Sequence, residues 1–234
     1  MRVSLLFVPA LAIAGCAPAA SASTRTFAVS GFDAVRVAGF DTVKIVRGPK
    51  ASVEASGPAD QLDRLDIRSE GSVLTVTRKS SVGMNWSRGS VIVTVTMPTI
   101  RAAEATGSGD VSIDRADGAT FEASVSGSAN LVVADIRARS TKLRISGSGN
   151  LDARGTTRVL SAGVSGSGDL NAGKLVAETA SIAVQGSGDA TAFARTSAVV
   201  AVSGSGNGSA PSRTRMRGSR SSSSASSKNP AGFT

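Results

Sequence analysis

One four-residue phrase returns six times along this chain: Gly107-Ser108-Gly109-Asp110, Gly127-Ser128-Ala129-Asn130, Gly147-Ser148-Gly149-Asn150, Gly166-Ser167-Gly168-Asp169, Gly186-Ser187-Gly188-Asp189 and Gly204-Ser205-Gly206-Asn207. Their first glycines are 20, 20, 19, 20 and 18 residues apart. A period that regular marks a repeat architecture, in which each unit covers its apolar side by stacking on its neighbours. Glycine adopts positive φ without steric cost and Asp or Asn tolerates it next best, so each phrase reads as a sharp corner. The closing Asp or Asn can also accept a hydrogen bond from the backbone two residues on, which would fix the turn locally.

Around the corners apolar residues fall at alternate places. Ala123 and Val125, Leu143 and Ile145, Ala162 and Val164, and Ile182 and Val184 precede them, while Val111 and Ile113, Leu131 and Val133, and Leu170 and Ala172 follow. A period of two belongs to strands with one buried face. Each repeat is expected to hold two short strands, a corner between them, and a looser middle such as 114–119 or 154–158.

Such a repeat is too short for a strand–helix–strand unit of about 30 residues or more. It suffices for one coil of a parallel β-helix, with equivalent residues stacked about 4.8 Å apart and six coils making a rod roughly 29 Å long. Large and small residues would offset each other in the inward columns, Ala123 beside Leu143 and Ala162 beside Ile182. A meander of antiparallel hairpins with the same period is the competing arrangement, but identical corners at every turn suit translation along an axis better. The expected class is all-β, a parallel β-helix (solenoid) with coils of about 20 residues, preceded by a β-rich N-terminal part of the same domain.

That N-terminal part, 27–100, alternates with less regular spacing. Gly31-Phe32-Asp33-Ala34-Val35 and Gly39-Phe40-Asp41-Thr42-Val43 are near-duplicates, each opening a strand, and read as two alternating strands joined by a tight corner. Val53 and Ala55 continue the pattern, and Pro58 to Leu65 allows one or two helical turns with Pro at the first position. Leu65 and Ile67, then Leu74 and Val76, read as a hairpin across Glu70-Gly71, and Val91, Val93 and Val95 form a strand ended by Pro98. The loop 80–89 carries the only Trp, Trp86, with Arg88 nearby. These two are candidate ligand contacts, stacking on a sugar or resting at a membrane interface. The other reading of Trp86 is a lid over the open end of the core.

The ends differ from the middle. Arg2, the apolar run Val3 to Ile13 and the small residues after it form an export signal too short to span a bilayer. Ile13-Ala14-Gly15-Cys16 resembles a bacterial lipobox, which would make 1–15 the signal peptide, Cys16 the lipid-attachment residue and 16–26 a tether. An ordinary signal cut near Ala20 or Ala22 would instead discard Cys16. Under the lipobox reading, Ala17 stands where inner-membrane lipoproteins usually have Asp, which favours the outer membrane. Because Cys16 is the sole Cys, no disulfide is expected after export. From Gly208 on, Ser and Arg dominate and no seventh corner appears, so 208–234 reads as a disordered basic tail. The tail holds five of the formal net +9 and Arg2 one more, leaving +3 on the rest. The high charge is therefore no sign of a nucleic-acid face, and no nucleic-acid partner is expected.

The Gly31-Phe32-Asp33 opening, the stretch Val43 to Gly48, the strand Val91 to Pro98 and the serial corners together resemble the head GIN domain of bacterial autotransporter adhesins, across roughly 27–207. The resemblance implies an exported, often lipid-anchored β-helical domain, adhesin-like and without an assigned enzyme activity. It departs after Asn207, where the family would add further corners.

With no His and one Cys, neither a His-based triad nor a His/Cys metal cage can be built. Asp110, Asp169 and Asp189, interleaved with Asn130, Asn150 and Asn207, would share one column. Asp169 and Asp189, about 4.8 Å apart, would repel by about 0.9 kcal/mol in water, which a cation between them would relieve. A purely structural turn role is the alternative, and the long period and half-Asn column favour it. Asp114, Asp117, Asp135 and Asp152, with Arg137, Arg139 and Arg154, fall in the repeat middles without the recurring pair that acid–base chemistry needs. No helix follows the Gly-Ser-Gly phrases, so they are not phosphate cradles. No enzyme activity and no cofactor are expected. The leading expectation is a lipoprotein binding or display module at the outer membrane, meeting envelope or host glycans or proteins. A periplasmic structural or sensing component is the alternative, and a carbohydrate-active β-helix enzyme comes last.

Overall fold

The computed structural model describes residues 23–79, 91–211 and 216–220. The signal segment, Cys16, Trp86 and Arg88 lie outside the described residues. Seven strands and one helical turn come first: β1 (Ser23–Phe27), β2 (Ala34–Gly39), β3 (Thr42–Arg47), β4 (Ser52–Gly57), α1 (Ala59–Leu62), β5 (Leu65–Glu70), β6 (Val73–Arg78) and β7 (Ile92–Met97). The regular part begins with β8 (Ala102–Gly107) and β9 (Asp110–Ile113). It continues as β10 (Ala116–Gly127), β11 (Asn130–Gly147), β12 (Asn150–Gly166), β13 (Leu170–Gly186) and β14 (Ala190–Gly204).

From β10 to β14, consecutive strands pair parallel with their corners in register: Gly127 against Gly147, then Gly166, Gly186 and Gly204. This is a β-solenoid of about five turns, and the parallel ladder rules out the meander. Each coil has three sides. The residues after a corner make the first, a short stretch such as Ile136–Ala138 makes the second, and the run up to the next corner makes the third. The middle that reads as loose in the sequence is therefore paired backbone: Ala116 lies against Ile136, and Ala138 against Thr157. Register shifts between Val133 and Ile136 and between Asp152 and Arg154 break the alternation there, which hides the second side from a period-two reading.

The inward columns form as expected. Ala103, Ala123, Leu143, Ala162 and Ile182 stack as one buried row in which small and large side chains offset each other. Toward the C-terminal end the core narrows. Leu131, Leu151 and Leu170 give way to Ala190, and Phe121, Thr141 and Leu160 to Ala180 and Ala198. Each fully buried leucine contributes roughly 1.5–3 kcal/mol. Thr141 sits in this apolar column because its hydroxyl meets that of Thr157 at 3.0 Å, and Thr157 in turn donates to the Val159 carbonyl at 3.2 Å.

Below the coils the described residues form two sides. β2 and β6 extend the third side beneath β8, and β5 closes it as the hairpin expected with β6. β3 and β7 extend the first side beneath β9, after which β4 and β1 add on antiparallel. β1 is thus the outermost strand on this side, antiparallel to its neighbour. α1 connects the two sides with Leu62 buried, and Pro58 is its extended N-cap, one place earlier than the sequence suggests. At the other end β15 (Gly208–Ser209) and β16 (Met216–Arg220) both pair parallel with β14, and Ala210 is buried. The boundary expected at Asn207 thus moves: Gly208 and Ser209 still find backbone partners on β14, so the solenoid register runs past the last corner.

Candidate functional site

The corners form a continuous ladder, in which the second corner alone has an alanine, Ala129, at the second place, and their two glycines serve different needs. The first has φ between 94° at Gly127 and 124° at Gly204. At Gly127, Gly147 and Gly166 its carbonyl takes two donors from the next coil: Ser148 and Gly149 N–H reach the Gly127 carbonyl at 2.8 and 2.9 Å, and Ser167 and Gly168 reach that of Gly147 at 2.9 and 3.0 Å. The second glycine is needed for space, since a Cβ at Gly168 would lie 2.1 Å from the carbonyl oxygen of Gly149. Gly107, Gly109, Gly186, Gly188 and Gly206 occupy the same ladder positions.

The Asp and Asn residues act across coils, not through the local turn expected of them. Each lies where a strand starts, so its side chain stands one rung from its counterpart. The Asn130 amide donates to Asp110 Oδ1 at 2.9 Å, that of Asn150 to Asn130 Oδ1 at 3.0 Å, and that of Asn207 to Asp189 Oδ1 at 3.0 Å. Asp169 and Asp189 are neighbours here, but backbone donors approach both. Asp189 N–H reaches Asp169 Oδ1 at 3.3 Å, and Asn207 N–H reaches Asp189 Oδ1 at 2.8 Å. Among the described residues no group of three or more metal-ligating side chains comes together. Asn150→Ala removes the amide donor and the acceptor that receives Asp169 N–H at 3.3 Å. The expected loss is about 1 kcal/mol, a fall in Tm of roughly 2–4 °C readable by circular dichroism.

The ladder has an earlier rung, which the sequence marks as a tight corner but not as a member of the repeat. Ser108 and Gly109 donate to the Gly39 carbonyl at 2.9 and 3.0 Å, which makes Gly39-Phe40-Asp41-Thr42 the first corner. Phe and Asp stand there in place of Ser and Gly, so only the Gly-Phe-Asp duplication signals it. Asp41 is buried and holds Arg78 through both carboxylate oxygens. Arg78 also donates to Gln61 Oε1 at 2.8 Å and lies 4.4 Å above the Phe40 ring. The hydrogen bond to Asp41 raises the Arg78 pKa despite its desolvation, so this end of the domain is pinned by a charged pair.

The concave feature lies on the second side of the coils. It is a groove of about 360 Å³ whose floor is a row of small residues, Gly118, Ala138, Thr157 and Ala177. One wall is Arg137, Thr156 and Val176; the other is Arg139, Arg158 and Glu178, and Arg195 adds to the lining from β14. Arg137 is paired with Asp135 at 3.1 Å, and Arg158 loosely with Glu178 at 3.6 Å. Sequence reasoning reaches Arg137 and Arg139 but not Arg158, Glu178 or Arg195, because the shifts in register put them out of step with the period. Arg154 falls outside the groove, against Lys174.

Comparisons with known proteins bear on what this scaffold is. A crystal structure of a putative adhesin from Bacteroides fragilis NCTC 9343 superposes with a TM-score of 0.79 at 21% identity, covering 87% of this chain and 94% of that one. A putative lipid binding protein from Parabacteroides distasonis ATCC 8503 gives 0.70 at 19% identity, over 85% and 93% of the two chains. A putative adhesin from Parabacteroides merdae ATCC 43184 gives 0.64 at 18%, again over 85% and 93%. At these identities the likeness is one of fold. No curated protein matches in sequence. The family model described as "Putative auto-transporter adhesin, head GIN domain" matches residues 31–209, which takes in every corner from Gly39 to Asn207 and the groove; the chain belongs to that family.

Proposed function

We propose that this protein is a non-enzymatic binding module of the bacterial cell envelope, anchored to the outer membrane by an acyl group on Cys16 and displaying its solenoid to glycans or proteins outside. The observation that carries the reading is membership of an adhesin-head family across the whole solenoid, 31–209. The architecture supports it. In-register rungs cross-bonded at every corner make a stiff body whose outer faces repeat along one axis, as a display scaffold requires. The acidic residues of the corners are taken up by donors on neighbouring rungs, which suits a structural duty better than a catalytic one.

Protease shaving of intact cells tests the display. The domain is expected to be cut from the outside, and a Cys16→Ser variant is expected to lose incorporation of labelled palmitate and to leave the membrane fraction. A domain cut only after permeabilisation would replace this reading with that of a periplasmic structural component.

A further inference from the structure

We infer that the groove on the second side binds an extended acidic glycan, whose anionic groups sit on Arg137, Arg139, Arg158 and Arg195. This deepens the binding-module reading by naming the class of ligand. The starting observation is a pair of like charges. On the third side, charges facing each other across rungs are matched, Arg36 with Glu104 at 2.8 Å and Lys142 with Glu122 at 3.2 Å. On the groove wall Arg139 lies directly against Arg158, between the register pairs Ala138–Thr157 and Ser140–Val159. Guanidinium groups on rungs about 4.8 Å apart repel, and like charges facing each other weaken a sheet. Both residues are exposed, so packing does not call for them. Glu178 offsets Arg158 only loosely, at 3.6 Å, and a ligand that brings further negative charge accounts for the placement of the two arginines.

Charge and shape agree. Four guanidinium groups and the Glu178 carboxylate line the groove, and Asp135 beside it pairs with Arg137 at 3.1 Å, which leaves four positive charges against two negative, a formal +2. The groove runs across the rungs, parallel to the solenoid axis, and its floor of small residues leaves room for a chain between the walls. Arginine's planar fork matches a carboxylate or sulfate in two-point contact, while Thr156 and Val176 offer a sugar ring one polar and one apolar neighbour. A bilayer is flat and would press on projecting residues without reaching a recessed floor. Single-stranded nucleic acid is held by aromatic stacking platforms, and the groove lining has no aromatic residue.

The test is calorimetric titration of the purified full-length protein with polygalacturonate, with dextran as the neutral control. Binding to polygalacturonate and none to dextran is expected. The double variant Arg139→Gln/Arg158→Gln should weaken binding by about tenfold or more, with Tm unchanged or slightly raised because the repulsion is gone. Lys44→Gln/Arg144→Gln removes the same charge from the other two sides and should leave affinity within about twofold. Absence of binding, or equal losses in both doubles, would overturn the assignment. So would a groove double that abolishes binding to phosphatidylglycerol vesicles or oligo-dT while binding to polygalacturonate survives. Because the readout is on purified protein, its failure leaves the shaving result on cells standing, and the reverse also holds.

Discussion

Gly166→Val should lower the melting temperature by roughly 10 °C or leave the chain unable to fold, a loss of about 3–5 kcal/mol. Two penalties coincide at this position. Its φ is +122°, a conformation that a β-branched residue adopts only under strain. A Cβ there would also lie 2.4 Å from the carbonyl oxygen of Gly147, which belongs to the backbone of the preceding coil and cannot rotate away. The carbonyl concerned receives the Ser167 and Gly168 N–H donors, so any shift that relieves the clash breaks the ladder at its middle. Gly163, three residues earlier, is the control. Nothing lies within 4 Å of a Cβ built there and its φ is unstrained, so Gly163→Ala should be neutral or stabilise by up to about 1 kcal/mol. Thermal melts of the two variants separate a specific need for glycine from a general sensitivity of the sheet. Equal effects would show that the corner is not the constraint.

The second large effect is expected at the N-terminal end of the ladder. Asp41→Ala leaves the Arg78 guanidinium, whose side chain is only 13% exposed, without its carboxylate partner. Stranding one member of a buried pair costs about 3–5 kcal/mol, and the solvent-facing rim of Arg78 places this case near the lower figure. Replacing both partners, Asp41→Ala with Arg78→Met, should restore most of the stability, since no stranded charge then remains. If the double variant is as unstable as the single, the pair does not act as a charge lock. Chemical denaturation midpoints at equal m-values would read the difference.

The corner phrase carries most of the fold in plain view. A positive-φ glycine, a small residue pressed against a neighbouring carbonyl (glycine in five corners, Ala129 in the other) and a side chain able to bond along the axis form one local requirement, written six times at steps of 18 to 20 residues. Alternation beside the corners is equally legible, because Leu143 and Ile145 must point inward if Arg144 points out. The second side was not, since the displaced register after Val133 and Asp152 scatters its inward residues. The first rung at Gly39 was hidden for a chemical reason: the end of the stack needs a cap, and Phe40 and Asp41 serve Arg78 where inner rungs need only Ser and Gly. The groove was half-legible. Arg137 and Arg139 stand out by composition, but the opposition of Arg139 to Arg158 exists only once coils 19 residues apart are laid side by side.

Engineered cysteines at the corners measure that alignment directly. In a background with Cys16→Ser, the pair Ser148→Cys/Ser167→Cys occupies adjacent rungs about 4.8 Å apart, within the Cα range a disulfide spans, whereas Ser128→Cys/Ser167→Cys is two rungs apart at about 9.6 Å, beyond it. Stacked parallel coils predict that the first pair oxidises to an internal disulfide in air and the second stays reduced. A reduced first pair, as two strands intervening between successive corners would give, or ready oxidation of both pairs, would contradict the solenoid on which the proposed binding function is built.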